Sequence, residues 1–323
     1  MKVPVVSAAP PSIREHHVRV PDQLGQILKA TEAHGRGITG RGVQVAIIDS
    51  GFWLHPYYRE RGYKITPLPT RKENEPLVDE YGHGTAQLAS LFALAPEVEA
   101  LAIKCMDRDP SYALEKALAS GARVISCAWG FNIDHKGARK LPTEFQKMHR
   151  TLRRAIKMGV SIVAAGGNGQ QPFPGSMPEV IAAGGVYWGP DGHFEPSDVS
   201  SKFESHLFPG RIVPDLCGLV GNRPYGRLLL VPVPPRATLA RRASFSTIAA
   251  GESIRTRAPG WALFSGTSAA TAMVSGAIAL LLQVRPELTP ERIKDVLISS
   301  SHVLPSSGCR VLDVQAALAR LGK

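Results

Sequence analysis

Three side chains that lie far apart in the sequence could together activate a nucleophile. Asp49 directly follows the apolar run at 43–48, His83 stands in Asp-Glu-Tyr-Gly-His-Gly-Thr, and Ser268 stands in Phe-Ser-Gly-Thr-Ser-Ala-Ala-Thr. A serine hydroxyl is a weak nucleophile until a base removes its proton, and a neutral imidazole is a suitable base near pH 7. A carboxylate orients that imidazole and stabilises its charged form. These residue types therefore indicate acyl transfer to a serine.

Asn168 is a candidate donor for the negative charge that develops during acyl transfer. It stands in Val-Ala-Ala-Gly-Gly-Asn-Gly, just after the apolar run at 160–164. Ser268 is expected at a helix start, where its backbone N–H is free and the helix dipole is positive. An amide side chain and a backbone N–H are donors that can stabilise an oxyanion.

Each of these features has a simpler explanation when it is taken alone. An aspartate at a strand end and an asparagine between glycines are typical turn residues, and Gly-Thr-Ser before an apolar run is a common helix start. A histidine at a helix start is often only a capping or surface residue. The combination is stronger, because Asp49, His83 and Ser268 follow one of the chain orders known for such a triad.

Short apolar runs alternate with amphipathic segments along most of the chain. The predicted strands lie at 43–48, 98–104, 124–128, 160–164 and 180–186, and the predicted helices between them lie at 83–93, 111–118 and 143–158. This alternation predicts an α/β fold, a three-layer doubly wound, mainly parallel sheet with helices on both faces. Sites in such folds form at the carboxyl ends of the strands, which is where the candidate residues fall.

The chain is expected to consist of a short arm and one large domain. Residues 1–22, which include a proline-rich and basic stretch, are predicted to be an extended arm, and residues 23–323 are predicted to be the α/β domain. An insertion at about 219–263 is rich in proline and glycine and holds seven arginines against one acid, Glu252. It is either a solvated surface loop or a flap near Ser268 that selects acidic substrates or an acidic partner.

Composition narrows the classes of partner and location. The net charge of +11 fits nucleic acid or acidic partners, but a solvated basic surface explains it equally well, so nucleic acid is not favoured. The four cysteines are scattered without metal-ligand spacing, so neither a metal nor a cofactor is predicted. Reduced thiols and the lack of an apolar signal-peptide core predict a cytoplasmic protein. The best apolar stretch, 269–284, is too short and too interrupted for a membrane span.

Five stretches together resemble the subtilisin-like serine protease family, the subtilases. They lie at 45–51, 82–85, 165–168, 173–181 and 265–271. The resemblance runs from about residue 23 to the end and is poor across 219–263. It implies a subtilisin-like fold and serine peptidase activity on protein or peptide substrates. It also implies that Asp49, His83 and Ser268 are the catalytic triad and that Asn168 is the oxyanion donor.

The same resemblance places the substrate. Family members bind the substrate backbone as an added strand. Two segments would form the walls of the pocket for the substrate residue before the scissile bond. They are Ala128, Trp129 and Gly130 on one side, and Ala164, Ala165 and Gly166 on the other.

The sequence departs from the family pattern beside these motifs. Ala86 stands where the family usually has a histidine, and Ala272 and Met273 replace a usual Pro-His pair. These changes are expected to alter fine geometry rather than activity. Trp129 stands where a smaller apolar residue is usual, so it is expected to alter the substrate shelf.

Two segments that are common in the family are short or missing. The helix after His83 leads almost directly into the strand at 98–104, so the loop that often holds structural calcium is absent and no calcium is predicted there. The stretch before residue 23 is too short for the usual folding pro-segment. Folding is therefore expected to need no pro-segment or to be helped in another way.

The favoured hypothesis is a dedicated intracellular processing endopeptidase that works through an acyl-enzyme on Ser268. A peptide ligase or macrocyclase would form the same acyl-enzyme and resolve it with an amine. A non-catalytic scaffold that binds peptide or nucleic acid is the third hypothesis. The presence of all four predicted catalytic side chains argues against that scaffold.

Overall fold

Strands and helices largely alternate between residues 44 and 165, as the sequence predicts, and in the part of the chain that the structure describes a run of strands without helices follows up to residue 232. The computed structural model describes residues 4–11, 17–19, 22–107, 109–133, 140–222, 227–245, 247–249, 252–253 and 258–322. The strands in these residues are β1 (His17–Arg19), β2 (Gln44–Asp49), β3 (Lys64–Pro67), β4 (Glu99–Lys104), β5 (Val124–Cys127), β6 (Phe131–Asn132), β7 (Ser161–Ala165), β8 (Pro172–Phe173), β9 (Ile181–Trp188), β10 (Phe194–Pro196), β11 (Phe203–Glu204), β12 (Ile212–Val213), β13 (Leu216–Leu219), β14 (Leu228–Pro232), β15 (Thr247–Ala249), β16 (Glu252–Ser253), β17 (Trp261–Phe264), β18 (His302–Val303) and β19 (Arg310–Val311). The helices are α1 (Asp22–Ile27), α2 (Thr31–Gly35), α3 (Pro56–Glu60), α4 (His83–Leu94), α5 (Ser111–Ala119), α6 (Thr143–Lys157), α7 (Thr238–Phe245), α8 (Thr267–Val284), α9 (Pro290–Ser300) and α10 (Val314–Arg320).

The central sheet positions the candidate site. Its order is β18-β19-β13-β9-β7-β5-β2-β4-β3, with β10 paired to β9. Neighbours from β19 to β3 are all parallel. From β2 the chain adds β4 on one side and later β5 on the other, so a crevice opens at the carboxyl end of β2. Asp49 is the last residue of that strand. The predicted mainly parallel α/β fold is confirmed.

Helices cover both faces of the sheet, and β2 shows why. Side chains alternate across a strand, so Val45 and Ile47 point to one face and Ala46 and Ile48 to the other. The first face packs with residues of α4 and α8, and the second packs with residues of α5 and α6. Because both faces are covered, β2 is buried and reads as a continuous apolar run.

Helix α8 passes through the protein interior and carries Ser268 near its start. A Cβ atom on Gly276 would lie 2.7 Å from Cβ of Leu94 and 2.9 Å from the carbonyl oxygen of Leu91, so α8 and α4 pack in close contact. Of the residues described, α8 alone is long and apolar enough to cross a membrane by length and composition, and 89% of it is buried inside the protein. That burial is typical of the core helix of a globular protein.

The arm and the insertion share a second, smaller sheet. Strands β14 and β17 pair antiparallel, and β1 adds to β14 in parallel. The indole Nε1 of Trp261 also donates to the carbonyl oxygen of Ser7, 3.1 Å away. Residues 1–3, 12–16 and 20–21 of the predicted arm, and residues 223–226, 246, 250–251 and 254–257 of the insertion, lie outside the described residues.

Candidate active site

Asp49 and His83 are directly bonded at the carboxyl edge of the sheet. Oδ1 of Asp49 lies 2.7 Å from Nδ1 of His83. The aspartate is 3% exposed and the histidine side chain is 16% exposed. Because a carboxylate only accepts, the proton is assigned to Nδ1, and Nε2 keeps its lone pair. His83 therefore has the tautomer that a general base requires.

Two glycines allow this close approach. Gly51 has a φ of +122°, and a Cβ atom there would lie 2.1 Å from the carbonyl oxygen of Val78. A Cβ atom on Gly84 would lie 2.2 Å from the carbonyl oxygen of Gly51. No side chain fits at either position, so the start of α4 packs directly onto the end of β2.

Asp79 holds the loop before His83 in place. Its Oδ1 accepts from the Gly82 N–H at 2.7 Å and from the Ser50 hydroxyl at 2.8 Å. Its Oδ2 accepts from the Thr85 N–H at 3.0 Å and from the Thr85 hydroxyl at 2.6 Å. Asp79 thus caps α4 and ties it to β2 through Ser50. The sequence prediction gave this residue no role, although an acid just before a helix start is a recognisable capping signal.

The surroundings of His83 shift its pKa. Burial lowers the pKa, whereas the charge and hydrogen bond of Asp49 and the charge of Asp79 raise it. The net effect raises the pKa above the ordinary histidine value of 6.5. Burial also raises the pKa of Asp79 against the hydrogen bonds that lower it.

Ser268 is the second residue of α8 and does not reach His83. Its Oγ donates to the carbonyl oxygen of Ala128 at 2.7 Å. Within the described chain no hydrogen bond joins that hydroxyl to His83. Instead, Nε2 of His83 lies 3.4 Å from the amide nitrogen of Gln87. The structure therefore joins the predicted acid and base, and it directs the predicted nucleophile to a backbone carbonyl.

Asn168 is anchored to the start of α8. Its Oδ1 accepts from the Thr267 N–H at 2.9 Å and from the Thr267 hydroxyl at 3.0 Å. This leaves Nδ2 as a donor, 3.4 Å from the place where Gly266 would carry a Cβ atom. The backbone N–H of Ser268 lies in the first turn of α8, where N–H groups have no acceptor inside the helix, so it is a second donor beside Nδ2. Asn168 is exposed, and its part in binding an oxyanion stays a prediction.

A cavity of about 320 Å³ opens beside the acid and base. Its lining includes Asp49, Ser50, Tyr81, His83, Cys105, Met106, Ala128, Trp129, Gly130 and Phe131. The indole Nε1 of Trp129 donates to the carbonyl oxygen of Ile48 at 2.7 Å, and its ring meets the Phe131 ring edge-on at 5.6 Å. Trp129 is therefore a fixed part of this cavity.

The second predicted wall does not line that cavity. Ala164, Ala165 and Gly166 are buried. The ring of Pro172 packs against Gly130 of the first predicted wall and against Gly167, the residue after the second wall: a Cβ atom on Gly130 would lie 2.5 Å from Cβ of Pro172, and one on Gly167 would lie 2.8 Å from its Cδ. Pro172 therefore lies directly beside the first predicted wall.

The insertion contacts the site from two directions. Backbone N–H groups of Thr238 and Leu239 donate to the carbonyl oxygens of Glu80 and Tyr81, both at 3.0 Å. In addition, the ring of Phe264, at the end of β17, meets the His83 ring edge-on with centroids 5.6 Å apart. The insertion therefore packs against the loop before His83 and leads directly into the helix of Ser268.

The fold has clear relatives among solved structures. One is fervidolysin from Fervidobacterium pennivorans, described as a keratinolytic enzyme related to subtilisin. It matches with a TM-score of 0.68 and 19% sequence identity, and the match covers 98% of this chain and 50% of fervidolysin. A lanthipeptide protease matches with a TM-score of 0.68 and 18% sequence identity, over 91% of this chain and 93% of the lanthipeptide protease. The prenylagaramide maturation protease PagA matches with a TM-score of 0.64 and 20% sequence identity, over 90% of this chain and 98% of PagA. At these identities the likeness shows a subtilisin-like fold.

Sequence comparison shows the family. Subtilisin NAT of Bacillus subtilis subsp. natto is 27% identical over 332 residues, which cover 94% of this chain and 72% of the relative. The model of the subtilase family, peptidase S8, matches residues 40–320. The match includes the stretches around Asp49, His83, Asn168 and Ser268. This chain belongs to the subtilase family and is a subtilisin-like serine peptidase, a hydrolase.

Proposed function

We propose that this protein is an endopeptidase that hydrolyses peptide bonds through an acyl-enzyme on Ser268. The observation that carries the proposal is the 2.7 Å bond between Asp49 and the Nδ1 of His83 at the mouth of the cavity. It leaves Nε2 of His83 as a base, and Phe264, whose ring contacts the His83 ring, lies four residues before Ser268 at the approach to α8. A serine nucleophile requires such a base, oriented by a carboxylate.

Each step of the proposed reaction has a residue here. Ser268 Oγ attacks the substrate carbonyl carbon and passes its proton to His83 Nε2, while Asp49 stabilises the imidazolium. Nδ2 of Asn168 and the Ser268 N–H bind the oxyanion. His83 then returns the proton to the leaving amine, and water attacks the ester with the same base.

The hydroxyl of Ser268 has to leave Ala128 before it can attack. A substrate that adds as a strand along residues 128–130 brings an N–H that can donate to the same carbonyl oxygen. Substrate binding would thereby compete with the Ser268 hydrogen bond and free its hydroxyl for His83. Substrate binding would thus allow the proposed nucleophile Ser268 to hydrogen-bond to the proposed base His83.

The cavity and its surroundings support a restricted specificity. Met106, Trp129 and Phe131 are among the groups that line the cavity beside Asp49, which suits an apolar substrate side chain. Pro172 packs on Gly130 of the first predicted wall, where its ring would limit the pocket to a small side chain before the scissile bond. Such restriction fits the cleavage of particular sequences better than general degradation.

A dedicated intracellular processing role is the finer proposal. Two solved relatives of similar length are named for such tasks, one as a lanthipeptide protease and one as a maturation protease. All four cysteines are free thiols, as is usual in a reducing compartment. Broad cleavage of unrelated proteins by the purified enzyme, or export of the native protein, would contradict this role.

The basic insertion is proposed to favour acidic substrates or an acidic partner. Arg236 and Arg241 are exposed beside the segment that contacts the loop before His83. The side chain of Arg242 lies outside the described residues. Replacing Arg236 and Arg241 with Ser should lower kcat/KM for acidic peptides and leave neutral peptides unchanged, and an equal effect on both peptides would contradict the proposal.

Two measurements test the central proposal. A fluorophosphonate probe should label folded protein at Ser268. When a peptide library is cleaved, the summed mass of the two fragments of each peptide should exceed the mass of that peptide by one water. A product without that water would indicate ligation or cyclisation instead. No labelling of Ser268 in folded protein would contradict any acyl-enzyme mechanism.

A further inference from the structure

Gln87 is an unusual polar residue beside the proposed base. It lies one turn after His83 on α4, and its side chain is fully buried. Residues four apart on a helix face each other. Its amide nitrogen is 3.4 Å from Nε2 of His83, and its Oε1 is buried without a hydrogen-bond partner among the described residues. Burial of an unsatisfied amide oxygen opposes folding, so packing alone does not explain a glutamine here.

The direction of the contact follows from the tautomer of His83. In the neutral ring Nδ1 donates its hydrogen to Asp49, so Nε2 can only accept. The amide of Gln87 must therefore be the donor. Since Ser268 donates to Ala128, the lone pair of the base faces Gln87 and not the nucleophile.

We propose that Gln87 is a positioning residue that donates its amide hydrogen to Nε2 of His83 in the substrate-free enzyme and keeps the imidazole neutral and apart from Ser268. This inference rests on the proposed acyl-enzyme function of Ser268. When substrate frees the Ser268 hydroxyl, that hydroxyl competes with the Gln87 amide for the same lone pair.

The charged groups around His83 give this donor a specific effect. Asp49 at the end of β2 and Asp79 in the preceding loop both favour the protonated ring. The Tyr81 ring and the Phe264 ring face the imidazole from the loop and from β17. A donor to Nε2 favours the neutral ring, so Gln87 opposes the two carboxylates.

The test compares Gln87→Leu and Gln87→Met with the unchanged enzyme. Both variants replace the amide side chain with an apolar side chain of similar size. The rate of Ser268 labelling by a fluorophosphonate on its alkaline plateau should rise about 2- to 10-fold, which corresponds to the loss of one ordinary competing hydrogen bond. The acidic limb of the labelling rate should move to higher pH by about half a unit to one unit.

Ser90→Ala is the matched control. Ser90 lies on the same helix, is buried and has a hydroxyl with no hydrogen-bond partner in the described part of the chain, but stands seven residues after His83. It should leave both the plateau and the acidic limb unchanged. The proposal would be overturned if both Gln87 variants had the same plateau rate of Ser268 labelling and the same acidic limb as Ser90→Ala.

A second readout separates this proposal from the proposed function. The titration of His83, followed by the NMR signal of its Nδ1 proton, does not require reaction at Ser268. If the unchanged enzyme is not labelled, the acyl-enzyme function fails, and a higher His83 pKa in both Gln87 variants would still support the hydrogen bond. An unchanged His83 pKa would overturn it.

Discussion

The hydroxyl of Ser268 is hydrogen-bonded to the carbonyl oxygen of Ala128, 2.7 Å away, and not to His83. The acid and base of the proposed triad are nevertheless joined. The proposed base is thus oriented by its acid, while the proposed nucleophile is hydrogen-bonded to a backbone carbonyl.

Removing members of the triad should abolish activity without unfolding the protein. Ser268→Ala should lower kcat by about 10⁶-fold, and Asp49→Asn should lower it by about 10⁴-fold because the histidine tautomer is lost. The measurement is hydrolysis of a fluorogenic peptide. Ser275→Ala is a suitable control, because Ser275 lies two turns further on α8 and only donates to Thr271. Full activity of Ser268→Ala would disprove the assignment of the nucleophile.

Activity should depend on a histidine with a raised pKa. The base works only when it is neutral, so kcat/KM should fall as pH drops through a pKa above 6.5. Asp79→Asn removes a charge that raises this pKa, so the acidic limb should move to lower pH. The same change weakens the cap of α4 and should lower the free energy of unfolding by about 1–3 kcal/mol. Rate profiles over pH and denaturant titrations measure the two effects, and an acidic limb that moves to higher pH would contradict this electrostatic account.

Two changes at Asn168 should separate its two contacts. Asn168→Asp keeps an oxygen for the Thr267 N–H but loses the amide donor, whereas Asn168→Ala loses both. Both variants should lower kcat by about 10²–10³-fold. Only the alanine variant should also lose stability, by about 1 kcal/mol, because only it removes the cap of α8. If the aspartate variant keeps full kcat, Nδ2 does not bind the oxyanion.

Pro172 should limit the size of the substrate residue before the scissile bond. Pro172→Gly removes the ring that packs on Gly130 of the first predicted wall, so kcat/KM for a large side chain relative to alanine should rise at least about 10-fold. Profiling with a peptide library measures this ratio. Ser275→Ala serves as the control, because the Ser275 hydroxyl donates to Thr271 inside α8, and it should leave this ratio unaltered. An unchanged ratio in Pro172→Gly would place the pocket elsewhere.

The main features of the fold could be predicted because they are local patterns. Apolar runs of strand length and amphipathic segments of helix length alternate in order, and β2, β4, β5, β7 and β9 each lie within two residues of the predicted bounds. Residues 45–51 and 82–85 include the glycines at 51 and 84 that the contact of α4 with β2 requires, so these short motifs indicate that contact in the sequence. The candidate acid and base were therefore readable from the sequence.

The remaining features depend on contacts between distant segments. Nothing near residue 17 in the sequence indicates that β1 pairs with β14, and nothing near Gly130 indicates that Pro172 packs on it. The position of Asp79 before α4 is a local capping signal, but its hydrogen bond to Ser50 joins residues 29 apart in the sequence. Long-range pairing is decided by packing, which no local pattern encodes.

The sequence by itself determined the family, the order of the elements and the identities of the candidate acid, base, nucleophile and oxyanion donor. Only the tertiary structure decided the state of these groups. The rotamer of Ser268 depends on the carbonyl of Ala128, 140 residues away, and the lone pair of His83 depends on a buried amide on its own helix. Hydrogen bonds form with whatever acceptor the folded chain brings within reach, so their partners are a property of the fold.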